Sequence, residues 1–323
     1  MRIGFDLGGT KMLAAVLDDE RRIVARNKNK TTGVDNDGVF QQIRETIAGV
    51  LEKAKISQGE IESVGIAAPG PIDLKTGTIL STPNLGLKDF ALSARLGAAL
   101  GCPVYLENDV NAGLWGEYIS GVAWGKRHVI GIFPGTGIGG GIIMNGELYR
   151  GKNGSAGEIG HITVQSDGRR CGCGNHGCLE TVASKTAIAR DLVLLAMNGQ
   201  SPVLAEAGAT DIKLVKSGLI KKALDAGDFG VAAVVDQAAY FLGIGMAAMV
   251  NTFDPEMIVL GGGLVEKLGS RFTDIAERTM RERSMSRLVA DVAVVEAELG
   301  DDSAVVGAAD LADREHGGGV SAR

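Results

Sequence analysis

The sequence predicts an α/β protein built from two related domains, and three observations carry that expectation. Short apolar runs of strand length alternate with longer segments of helical period. A strand, a glycine turn holding a threonine, a second strand, a tight turn and a third strand occur twice, about 130 residues apart. Glycine makes up 48 of 323 residues while aromatics reach only 4%, against a usual glycine share of about 7%. No G-X-Y period is present, so collagen is excluded and the bare backbone serves another need.

The first strand is expected over 2–7 and the second over 12–17, and a turn at Asp18-Asp19-Glu20 leads to a third over 22–29. A helix follows over 37–55, because Ile43, Ile47, Val50, Leu51 and Ala54 share one face. The strand 63–67 enters a loop rich in glycine and proline that reaches Gly86; a helix over 92–100 and a strand over 103–106 come next. After Trp124 the opening pattern restarts, with strand 128–133, the glycine run 135–141, strand 142–144, the turn Asn145-Gly146 and strand 147–149. Asn-Gly between apolar runs is a strong hairpin signal. Helices over 179–197, 211–226 and 230–252 dominate the next part. Strand 257–260 then enters Gly261-Gly262-Gly263 and a helix, and a strand over 292–295 and a helix over 303–312 follow. The expected division is a domain over 1–120, joined by the helix 303–312, and a domain over 121–302; the segment 315–323 lacks periodicity and is expected to be a flexible tail.

Charge narrows the function classes. Thirty-three Lys and Arg against 39 Asp and Glu give a net −6, with a pI of about 5.4. No long basic stretch exists to grip nucleic acid or an anionic membrane. Phosphate recognition must therefore be local. The N-terminal MRIGFDLGGTK reads as a strand entering a glycine turn, not as a charged leader before an apolar segment. The most apolar long segment, 231–253, is broken by Asp236, Gln237, Gly243, Gly245 and Asn251, which suits a buried helix better than a membrane span. A cytoplasmic protein is expected.

The glycine turns have the composition of phosphate cradles. Asp6-Leu7-Gly8-Gly9-Thr10-Lys11 places a carboxylate at a strand end, then two glycines, a hydroxyl and a cation. Gly8 and Gly9 permit close backbone approach to phosphate oxygens, Thr10 and Lys11 add donors, and Asp6 is placed to hold Mg²⁺ through water. A plain hairpin is the alternative. The second turn puts five glycines and Thr136 between Gly135 and Gly141, a cost to strand structure that favours a clamp on β- and γ-phosphates. Neither turn is a P-loop or a dinucleotide fingerprint. Gly261, Gly262 and Gly263 suit either a platform against a nucleobase or ribose, or a tight strand-to-helix turn.

Three of the four cysteines cluster. His161, Cys171, Cys173 and Cys178 supply one imidazole and three thiols, the composition of a closed tetrahedral structural zinc set, while reduced surface cysteines or a redox pair remain the alternative. Cys102, before Pro103, reads as a small core residue.

DLGGTK at the N-terminus, ENDVNA at 107–112, GTGIGGG at 135–141, GEIGH at 157–161 and CGCGNHGCLE at 171–180 together resemble the ROK family. This group of bacterial sugar kinases and repressors lies within the actin–hexokinase–Hsp70 superfamily, and the resemblance covers residues 1–312. It implies an actin-like, ribonuclease H-like ATPase fold of two α/β domains flanking an active-site cleft. It also implies phosphoryl transfer from ATP to a hexose, with Mg²⁺ and a structural Zn²⁺ as cofactors. By matching position, Asp109 would be the catalytic base. Asn108, Glu158, His161 and Glu180 would hold sugar hydroxyls, and Gly70 and Asn84 would line the sugar pocket. His161 would then share its two nitrogens between metal and sugar. The bland alternatives are a helix N-cap for Asp109 and solvated carboxylates for Glu158 and Glu180.

Glucose is the first expectation for the sugar, phosphorylated at its 6-hydroxyl, because Asp6 looks more like the glucokinases and N-acetylhexosamine kinases. N-acetylglucosamine or N-acetylmannosamine is the alternative, and polyphosphate is an alternative donor. Two departures from the pattern stand out: Pro134 before GTG, and Leu85-Gly86-Leu87 where many relatives carry a proline beside the sugar pocket. A sugar-responsive repressor is disfavoured, since the first strand begins at residue 2 and leaves no room ahead of it for a winged helix. A non-catalytic sugar sensor is disfavoured by the intact motifs. Family members are commonly homodimers or homotetramers.

Overall fold

The computed structural model describes residues 1–82 and 85–315. Asn84 and residues 316–323 therefore lie outside the described residues. The chain opens with β1 (Arg2–Leu7), β2 (Lys11–Leu17), β3 (Ile23–Lys30), α1 (Asn36–Ala54) and β4 (Ser63–Ala68). Then come β5 (Ile72–Asp73), β6 (Thr78–Thr82), β7 (Leu87–Phe90), α2 (Leu92–Leu100), β8 (Val104–Asn108) and α3 (Asp109–Ser120). The next segment holds β9 (Val129–Pro134), β10 (Ile138–Met144), β11 (Glu147–Leu148), α4 (Glu180–Ala183), α5 (Lys185–Met197), α6 (Pro202–Glu206), α7 (Ser217–Asp225) and α8 (Phe229–Phe253). The last elements are β12 (Met257–Leu260), α9 (Gly263–Leu268), α10 (Ser270–Arg283), α11 (Ser286–Val289), β13 (Ala293–Glu296) and α12 (Asp302–Glu315).

The repeated sequence pattern becomes a repeated topology. One five-stranded sheet has the order β3-β2-β1-β4-β8 and the other β11-β10-β9-β12-β13, so each places its own third, second, first, fourth and fifth strands side by side. In each, the first strand pairs antiparallel with the second and parallel with the fourth. The chain divides into two compact units. The first comprises Met1–Gly125, Gly146–Ala156 and Glu298–Arg323; the second comprises Lys126–Asn145 and Gly157–Ala297.

Each unit has its own core. In the first, Ile3, Phe5, Leu7, Val64 and Ile66 from the sheet meet Ile43, Ile47 and Val50 of α1. This is the helix face read from the sequence, and Asp35 caps it by accepting from the amide of Gly38 at 2.7 Å. On the opposite side α12 lies against β1 and β4 at glycines. A Cβ on Gly4 or Gly65 would sit 1.8 Å from the carbonyl oxygen of Val305 or Ala308. In the second unit, α8 runs through a core of Ile130, Ile132, Ile188, Leu242, Met246, Ile258 and Phe272. Among the described residues, α8 is the one helix long and apolar enough to cross a membrane, and 56% of its most apolar window is buried inside the protein. A largely apolar helix suits such a core position.

Several boundaries differ from expectation. The loop that reaches Gly86, with the four residues after it, forms a three-stranded antiparallel sheet, β5-β6-β7, built from pieces of two to five residues that turn formers separate. β10 starts at Ile138, inside the glycine run, because its backbone pairs with β9 despite the missing side chains. The helix expected over 179–197 breaks at Ser184, whose hydroxyl accepts from the amide of Ala187 and starts α5 anew. The segment ahead of Ser217 is not helical, and α7 begins there. Helix α12 continues through Arg314 to Glu315, so Glu315 is helical and not part of a tail.

Candidate active site and metal centre

The parallel strands β1, β4 and β8 end at one edge of the first sheet. Asp6 pairs with Ala67, Ala67 with Glu107 and Ala68 with Asn108. Asp6 and the Asn108-Asp109 step are thereby brought to the carboxyl edge of one sheet, where open α/β sheets bind ligands. A Cβ on Gly70 would lie 3.9 Å from Asn108 Nδ2, so Gly70 adjoins the same step. Asn108, not Asp109, is the N-cap of α3: its Oδ1 accepts from the amides of Val110 and Asn111 at 3.0 and 3.1 Å. Asp109 is the first residue of that helix, and its Oδ1 accepts from the Val110 amide at 2.9 Å and from Asn108 Nδ2 at 3.1 Å.

The charge of Asp109 is felt at Asp6. Burial first, and then the Asp109 carboxylate, push Asp6 up to about 7, with Lys11 opposing and Asp301 adding to the rise. Lys11 itself is held by Asp301, which also accepts from Lys28 Nζ at 2.8 Å. Those two lysines hold the Asp301 carboxyl below the usual carboxylate range. Gly9 and Thr10 are exposed, whereas the amide of Gly8 is spent on closing its own turn, 3.0 Å from the Lys11 carbonyl oxygen. Glu107 is fully buried. Its Oε1 accepts from the Asn108 amide at 2.9 Å and Asn111 Nδ2 at 3.2 Å, and its Oε2 from Arg150 Nε at 2.7 Å and Tyr105 Oη at 3.2 Å. Sequence reasoning missed Glu107, Arg150 and Asp301. A charged residue at the end of an apolar strand was the available signal for the first; nothing local pointed to the other two.

In the second unit β9 and β12 also run parallel, so Gly135-Thr136-Gly137 and Gly261-Gly262-Gly263 leave the same edge of that sheet. Gly262 has φ 85° and caps α9, and Gly261 still belongs to the sheet ladder, donating to the Ile132 carbonyl at 3.1 Å. The Gly135 amide donates to the Gly137 carbonyl at 2.8 Å. Gly137 has an unexpected neighbour: a Cβ there would meet Glu180 Oε2 at 2.3 Å, and the same oxygen accepts from the Ile138 amide at 3.0 Å. Glu180 is therefore tied to the glycine turn. Glu158 is mostly exposed, and its Oε2 lies 3.9 Å from His161 Nε2.

The thiol-rich loop folds back on itself through bridges between Thr163 and Cys178 and between Arg170 and His176. It brings His161 Nδ1 to 3.5 Å from Cys171 Sγ, and Cys173 Sγ to 3.7 Å from Cys178 Sγ. All four candidate donor atoms lie within 4.8 Å of one another. Tetrahedral zinc with Zn–S of about 2.3 Å and Zn–N of about 2.0 Å requires edges of roughly 3.5 to 3.8 Å. The donor types and the 3.5 and 3.7 Å separations suit that ion. With Nδ1 in the cluster, Nε2 of His161 faces Glu158. Without a cation, burial and the neighbouring sulfurs push the Cys178 thiol up to about 12.

The profile of the ROK family matches residues 2–315. The glucokinase of Streptomyces coelicolor is 37% identical over 319 residues, 97% of this chain and 97% of that one. Among solved structures, the ROK family glucokinase of Streptomyces griseus in complex with glucose and AMPPNP is 36% identical with a TM-score of 0.83, covering 97% of this chain and 99% of that one. The ROK hexokinase of Thermus thermophilus is 32% identical with a TM-score of 0.83, covering 98% and 99%. The chain belongs to the ROK family and has its actin-like ATPase fold. Within that family it is a ROK-type sugar kinase, most like the bacterial glucokinases.

Proposed function

We propose that this ROK-type sugar kinase transfers the γ-phosphoryl group of ATP to the 6-hydroxyl of glucose in the cytoplasm, with Asp109 as general base. The observation that carries the assignment is the carboxyl edge of the first sheet, where β8 ends at Asn108 and α3 begins at Asp109, beside Asp6 and Gly70. Phosphoryl transfer is chiefly positioning and charge stabilisation. The Asp109 carboxylate accepts the sugar hydroxyl proton as the oxygen attacks phosphorus, help worth roughly 10²–10⁴-fold in rate. Glu107 fixes the backbone on which that carboxylate sits. Asn108, Glu158, His161 and Glu180 receive the other sugar hydroxyls.

The turns at Gly8-Gly9-Thr10-Lys11 and Gly135-Thr136-Gly137 hold the phosphates, and Gly261, Gly262 and Gly263 face the nucleoside. Asp6 is suited to a Mg²⁺ ion, because a cation relieves the repulsion that Asp109 and Asp301 impose on it. When bound, that ion neutralises charge on the phosphates. His161, Cys171, Cys173 and Cys178 hold a structural zinc that shapes the sugar side without an open coordination position. The chain is expected to form a homodimer or homotetramer.

Asp109→Asn tests the assignment. The variant should bind glucose and MgATP as the wild type does while kcat falls by at least about 10²-fold. Near-normal turnover would end the role of Asp109.

A further inference from the structure

We propose that Glu180, Lys185 and Thr186 form a brace that holds the second glycine turn in its binding shape, making Thr186 a positioning residue for the nucleotide. The inference rests on the reading of that turn as a phosphate cradle and names what keeps it in order. Three hydrogen bonds reach it from one short stretch of chain. The Thr186 hydroxyl donates to the Thr136 carbonyl at 2.7 Å, the Lys185 amide donates to the Gly135 carbonyl at 2.9 Å, and Glu180 Oε2 accepts from the Ile138 amide at 3.0 Å.

The break at Ser184 is what makes the brace possible. A helix leaves its first amides without internal partners. By restarting as α5 at Lys185, the chain turns one such donor toward the glycine turn while Ser184 caps the helix. Ala187, Ile188, Ala189 and Leu192 anchor α5 in the core of the second unit, so the brace has a rigid base. A turn of glycines loses more conformational freedom on ordering than any other backbone. Holding Gly135, Thr136 and Ile138 before the ligand arrives removes that cost from binding, which is how preorganisation raises affinity. Thr186 acts through the Thr136 carbonyl and not by touching the ligand.

The test is calorimetry of MgAMPPNP and, separately, of glucose on the wild type, Thr186→Val and Thr186→Ser. Valine keeps the branched shape and removes the donor; serine retains it. T186V should bind MgAMPPNP about fivefold more weakly, the effect of one ordinary hydrogen bond, with glucose affinity unchanged, and T186S should match the wild type. Wild-type nucleotide affinity in T186V, or an equal loss of glucose affinity, would overturn the brace alone. A wild-type protein that binds glucose but no MgAMPPNP would overturn the phosphate-turn reading and the brace with it.

Discussion

Replacing Asp6 by asparagine should remove a pH dependence of stability that the fold imposes on the first unit. Burial and the Asp109 carboxylate raise Asp6 from 3.8 to about 7. In that interval the folded protein keeps a proton that the unfolded chain has lost. Stability from this group is therefore complete below the unfolded value, declines as pH rises, and is gone above about 7. At about 1.4 kcal/mol per pH unit, the wild type should lose about 2–3 kcal/mol relative to D6N between pH 5 and pH 8. Both tryptophans, Trp115 and Trp124, lie in the first unit, so urea unfolding followed by their fluorescence reports that unit directly. Asparagine is close in shape to the protonated acid, so D6N should unfold at nearly the same urea concentration at both pH values once other groups are subtracted. Parallel pH profiles for wild type and D6N would refute the raised proton affinity of Asp6. Mg²⁺ with nucleotide should flatten the wild-type profile, because a bound cation favours the ionised carboxylate.

Metal analysis of the purified protein should find about one zinc per chain, and Cys178→Ser should reduce that content and lower the unfolding midpoint of the second unit; a well-folded wild type without zinc would contradict the ligand set. Arg150→Met should destabilise the first unit by about 3–5 kcal/mol, since it strands the fully buried Glu107 carboxylate. Adding Glu107→Gln should recover much of that loss, and a double variant no more stable than R150M would show that the ion pair is not its source.

The parts of this protein that could be read from its sequence are those whose partners lie close along the chain. The meander β1-β2-β3 declares itself by alternation and a tight turn. The cysteine loop places three thiols within eight residues, and the α1 face repeats with the helical period. Contacts between distant segments carry no such signature. Asp301 reaches Lys11 across 290 residues, Arg150 reaches Glu107 across 43, and Ile138 reaches Glu180 across 42. The first and last of these adjust residues that the motifs did reveal, Lys11 and Glu180. The sheet β5-β6-β7 escaped for a different reason: its strands are short and their buried positions do not alternate, Ile79 and Thr82 in β6 and Leu87 and Phe90 in β7 lying three apart. Gly137 meets a second demand besides the flexibility of its turn. Its missing side chain leaves room for the Glu180 carboxylate, so part of the glycine surplus serves packing between protein segments.

The central claim is phosphorylation of glucose by ATP. Incubating the protein with MgATP and a panel of sugars that includes glucose, N-acetylglucosamine and N-acetylmannosamine, with polyphosphate compared as donor, and identifying the product by phosphorus NMR, tests it most directly. ADP together with a phosphomonoester coupled to the C6 protons of glucose, formed faster than with either acetylated sugar, is the expected result. No phosphorylated glucose under conditions where the protein is folded and zinc-loaded would contradict it.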